Sequence, residues 1–218
     1  MAIVSSIAVG KARKSAGNVT FTTSKGRVIM KEKALNVRNP RTAGQVSQRS
    51  KMARTVLAYQ TVGNKCANGI TRLSRYGSRY NQFVRANIDK IDDIFPAEQI
   101  VADCSFDGLM VANGALPEVE CTATYGLNAV DFTPKTNNVQ FDKLKVGDKL
   151  HAVLKSTVSN TVYTKSVALT QSNISGKTLP TITVATEAFD NDIVGIAMYI
   201  VSADGTVSST AYITEATV

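Results

Sequence analysis

The chain has 218 residues, 44% of them hydrophobic and 19% charged, which is enough apolar material for a buried core and excludes wholesale disorder. One His, three Cys and no Trp leave little for acid–base or metal chemistry, so the composition argues against an enzyme, a cofactor or a small-molecule substrate. The net charge of +8 hides a split: residues 1–90 hold 18 Lys and Arg against Glu32 and Asp89, a balance of +16, while residues 91–218 hold 7 Lys against 15 acids, a balance of −8.

The first segment, Met1 to Val9, is mildly apolar, with Lys11 to Lys14 after it. A secretory signal has its charge before a longer apolar stretch, so none is expected here. No run approaches the ~20 apolar residues of a membrane span, and no membrane partner is expected. Cys66, Cys104 and Cys121 have no CxxC spacing and read as buried free thiols of a reducing cytoplasm.

Residues 17–32 read as a β-hairpin or extended arm. Val19 to Thr23 and Arg27 to Met30 are β-prone, and Ser24-Lys25-Gly26 supplies the turn. Pro40 ends the extended chain, and Thr42 and Gln45 have capping-box spacing. Helix one is expected over 43–61, with Val46, Ala53, Val56, Leu57 and Gln60 on one face. Helix two is expected over 68–91, where Ile70, Leu73, Tyr76, Tyr80, Phe83, Val84, Ile88 and Ile91 share a face. The two would form an antiparallel pair.

After Pro96 the chain turns Thr/Ser-rich. Strands are expected at 119–125, 149–156, 161–169, 181–185, 193–202 and 207–213, with a hairpin turn at Ala203-Asp204-Gly205. The fold class is α+β: a basic arm and helical pair over 1–96, then an acidic immunoglobulin-like β-sandwich over 97–218, without the Cys…Trp…Cys signature.

Two basic concentrations are interface or phosphate-contact candidates. Lys11, Arg13, Lys14, Lys25, Arg27, Arg38 and Arg41 gather on the arm. Arg72, Arg75 and Arg79 would form one ridge of helix two, and Arg49 flanks helix one. Each could instead be a solvated face. Ser175-Gly176-Lys177-Thr178 resembles the end of a phosphate loop, but Gln171 stands where the motif needs Gly. Asp190 to Asp192, and Asp89 with Asp92 and Asp93, lack the ligand spacing of a calcium loop. His151, alone in a strand, reads as structural.

The order of these pieces resembles a family of proteins of unknown function encoded in Bacteroidetes genomes and their phages. The likeness rests on Gly10-Lys11, Gly17-Asn18-Val19 and Lys25-Gly26-Arg27. It rests also on Asn39-Pro40-Arg41-Thr42 with Gln45, Gln48 and Arg49, and on Asp204-Gly205 with Ser209 and Tyr212. Relatives often carry a Trp where this chain has Ser24. The resemblance implies a phage or prophage setting and brings no catalytic residues. The expectation is a non-enzymatic structural component of a tailed-phage virion, made in the bacterial host cytoplasm. It would form homo-oligomers, rings among them, and bind other virion proteins. The alternative is a nucleic-acid-binding accessory protein. A third class, a β-domain adhesin or carbohydrate binder, wants exposed aromatics, and the C-terminal half has no Trp and few Tyr.

Overall fold

The computed structural model describes residues 2–4, 14–34, 36, 39–70, 77–126, 128–157, 159–186 and 193–217. The chain divides into two compact units, 1–43 and 44–218.

The first unit is an antiparallel sheet of β1 (Ala2–Val4), β2 (Lys14–Ala16), β3 (Val19–Ser24) and β4 (Arg27–Glu32), in the order β1-β4-β3-β2. The expected hairpin is its centre. Ser24 pairs with Arg27 across a two-residue turn. Lys25 (φ 50°) and Gly26 (φ 78°) both sit in the left-handed region that such turns require. Strand alternation gives the hairpin two unlike faces. Val19, Phe21, Val28 and Met30 share one, and Thr20, Thr22, Arg27 and Lys31 share the other.

The second unit is a mixed α+β fold. It begins in α1 (Ala43–Ala58), which runs into a π-helical turn at Tyr59–Gly63. The expected apolar face of helix one is corrected: Val46 and Leu57 are exposed, and the buried stripe is Thr55, Ala58 and Val62. Small residues carry this face because the helix is closely packed. A Cβ on Gly63 would meet the rings of Tyr59 at 2.7 Å and Phe83 at 2.8 Å.

Helix two is also corrected. Ala67–Gly69 is a 3-10 turn, and Ile70 bridges to Asn113. Ser78 then caps α2 (Arg79–Asn87), accepting from the Asn81 N–H at 3.1 Å. A further short helix, α3 (Ile91–Ile94), follows. Leu73 and Tyr76 lie outside the described residues, while Ile70, Phe83 and Ile91 are buried as the pattern required.

The remaining elements are β5 (Met110–Ala112), β6 (Cys121–Tyr125), β7 (Ala129–Pro134), β8 (Lys149–Ser156), β9 (Val162–Ala168), α4 (Gln171–Ser175), β10 (Ile182–Ala185), β11 (Ile193–Val201), β12 (Ala211–Tyr212) and β13 (Thr214–Thr217). They make sheets of order β10-β7-β6, β13-β11-β8-β9 and β12-β5. The turn at 203–205 forms as expected, with Ser202 N–H bonding the Val207 carbonyl at 2.8 Å. Beyond Ser209 the chain leaves β11, and β12 pairs with β5. Residues 207–213 are therefore not one strand.

β11 explains the two cores. Val194, Ile196, Met198 and Ile200 face one way and pack with Leu150, Leu154, Val130, Phe132 and Ile182. Ala197, Tyr199 and Val201 face the other way and pack with Val153, Phe83, Ile91, Phe95 and Phe106. A strand covered on both sides must be apolar throughout, and Ile193 to Val201 is. Helix and strand residues share this second core.

Candidate interaction surfaces

Within the first unit Lys14, Lys25, Arg27 and Arg41 are all exposed. Lys11, Arg13, Arg38, Arg72 and Arg75 lie outside the described residues. Of the expected arginine ridge only Arg79 is described: it opens α2, and its Nε is buried without a hydrogen-bond partner. Arg49 is exposed on α1.

The other cations flanking helix one are paired with α3 and the segment after it. Lys51 Nζ lies 2.7 Å from Asp92, and Arg54 bonds both Asp92 and the Phe95 carbonyl, the latter at 2.6 Å. These contacts join α1 to α3. The hydrogen bond from Lys51, then that from Arg54, holds the Asp92 carboxyl below its ordinary value of 3.8.

The residues with chemical potential are packed as structure. The His151 ring stacks on Tyr199 at 5.1 Å with 5° between planes. Burial lowers the pKa of His151 and raises those of Tyr199 and Cys66, the last to about 12. Cys104 donates to the Ile94 carbonyl at 3.4 Å. Lys155 is fully buried, and its ammonium donates to the carbonyls of Ser156 at 2.5 Å and Ala102 at 3.3 Å. Nothing in the local sequence marks that lysine as interior. Among the described residues no three His, Cys, Asp or Glu side chains are grouped to hold a metal. Ser175-Gly176 closes α4 and does not lead from a strand into a helix, so the phosphate-loop context is missing.

Two adjoining cavities, of about 380 and 340 Å³, run along the second unit and share Glu118, Glu120 and Lys135. The first is walled by Asn137, Asn138 and Gln140. The second reaches Met198 and Ala211, and Tyr212 lines it with 42% of its surface exposed. Sequence reasoning missed this groove. Its only signal was Tyr212 in the Ser-x-x-Tyr pattern.

Residues 10–214 match a family of unknown function, DUF6266, and the chain belongs to that family. No curated protein and no solved structure matches it. Among the described residues no helix is long and apolar enough to cross a membrane.

Proposed function

We propose that this member of the DUF6266 family is a structural component of a bacteriophage virion, in tail, collar or capsid, acting by oligomeric assembly. The observation that carries the reading is the first unit. It holds nine Lys and Arg against Glu32 alone, so the whole net charge of +8 resides in it. None of residues 14–34 is buried, and Val19, Phe21, Val28 and Met30 share one face of its sheet. A sheet this small buries too little surface to be secure alone, and covering that face would supply what it lacks. We assign the cover to a second copy of the chain, whose residues 91–218 carry the opposite balance of −8. Complementary charge steers such an encounter and fixes its register. Head-to-tail contacts of this kind close into rings when the rotation between copies closes and otherwise run on as filaments.

The β-strands are proposed to form an immunoglobulin-like sandwich. Lettered in chain order, β6, β7 and β10 take the places of strands A, B and E, and β8, β11 and β13 those of C, F and G. β9 sits beside β8, where the fourth strand of an antibody constant domain would pair with β10.

Sedimentation of the full chain at low and high salt tests the assembly. Concentration-dependent oligomers that salt dissociates are expected, along with the protein's presence in purified particles. A monomer at high concentration and low salt would overturn the reading.

The nucleic-acid reading draws on the opposite sheet face, where Arg27 and Lys31 stand among Thr20 and Thr22. It predicts DNA binding that weakens steeply with salt and with Arg27→Ala.

A further inference from the structure

We propose that the groove between the 118–121 segment and Tyr212 binds a neutral oligosaccharide. The two cavities adjoin along three shared lining residues, and each lies in the usual size range for small-ligand sites, about 300–1,000 Å³.

The lining is mixed along its length in a way that suits a sugar. At one end stand Asn137, Asn138 and Gln140. Each side-chain amide both donates and accepts, as a sugar hydroxyl does. Among the described residues none of these amides is engaged with another side chain or with the backbone, so all are available to a ligand. In the middle, Glu120 and Lys135 form an exposed ion pair at 3.5 Å. The two carboxylates of Glu118 and Glu120 are matched by Lys135 and Lys143, so the groove favours neither charge sign. That selects against phosphorylated ligands and nucleic acid and in favour of an uncharged polyol.

At the other end the surface turns apolar. Ala197, Met198 and Ala211 form part of the lining. Tyr212 stands exposed beside them, with the Lys90 ammonium 5.6 Å from its ring centroid. The exposed Tyr212 ring accepts the C–H face of a pyranose, while the amides take its hydroxyls. β6 is an edge strand, so an extended peptide is the competing occupant. The density of paired donors and acceptors along the walls favours the sugar, since strand addition would rely on backbone groups.

The proposal is independent of the assembly reading, because a monomeric chain could bind sugar equally well. The test is titration of the full chain with neutral di- to tetrasaccharides of the cello-, chito-, malto- and lacto-series, followed by calorimetry and amide chemical shifts. At least one series should bind saturably and move the resonances of Asn137, Asn138 and Tyr212. Tyr212→Ala and Asn138→Ala should each weaken binding by about tenfold or more without changing the thermal midpoint. If Tyr212→Ala does not fold, the exposed double variant Asn137→Ala/Asn138→Ala makes the same test. Absence of saturable binding in every series would overturn the proposal. So would undiminished binding by the variants, or shifts produced by an extended peptide alone.

Discussion

The side chain of Asn87 replaces a neighbouring strand for Met110. Its Nδ2 donates to the Met110 carbonyl at 3.1 Å, and its Oδ1 accepts the Met110 N–H at 2.8 Å. Its Nδ2 also lies 3.1 Å from the Phe83 carbonyl within α2. One buried amide thereby ties α2 to β5. Asn87→Ala would leave both Met110 backbone groups without these partners. It should cost about 2–4 kcal/mol, read as a lowered urea midpoint with unchanged slope.

Gly195 admits a close crossing of the chain over β11. A Cβ there would meet the Ser105 carbonyl oxygen at 2.2 Å and Ile213 at 2.7 Å. Backbone cannot swing aside as a flexible side chain can. Gly195→Ala should therefore destabilise by about 2–3 kcal/mol in thermal unfolding, although Ala has the better intrinsic strand fit.

Two carboxylates set an acid limb of stability. Asp204 is held at about 2 by the Ser202 hydroxyl first, and then by the Thr206 N–H and hydroxyl. Asp92 is held below 3.8 by Lys51 and Arg54. Both folded values are depressed, so their contributions are present above the unfolded value and vanish as pH falls through the folded one. Stability should decline from about pH 4 towards pH 2. Asp204→Asn should flatten that decline, and high salt should reduce the part due to Asp92, which is exposed.

The thiols should be inert in the folded chain. Burial pushes Cys66 to about 12 and Cys121 to about 11, and raises Cys104 as well. At pH 8 iodoacetamide should leave Cys66 and Cys104 unmodified over hours and label all three cysteines in urea. Rapid native labelling of Cys66 would contradict the packing around Tyr199.

What the sequence disclosed follows from how locally each feature is specified. The Lys25-Gly26 turn and the β11 run are written in contiguous residues, and both were legible. The buried face of α1 was not, because Thr55 and Ala58 pack by being small and a hydropathy pattern favours Val46 and Leu57. Helix two was read too long because Ile70 keeps helical spacing while it is held in a bridge to Asn113. β7 was hidden by Asp131 and by Pro134 at its end. The groove lay beyond reach. Glu118 and Tyr212 are 94 positions apart, and only the fold makes them neighbours.

β11 also governs when the second unit can form during synthesis. Every other strand of its four-stranded sheet reaches the rest through β11 or through β8, its direct partner. Both cores take side chains from it. Until residues 193–201 leave the ribosome, the helices have no sheet to close upon and β8 has no inner neighbour. A nascent chain of ~190 residues is thus a client for chaperones with two half-built interiors, and a truncation before β11 should yield an insoluble product instead of a smaller folded one.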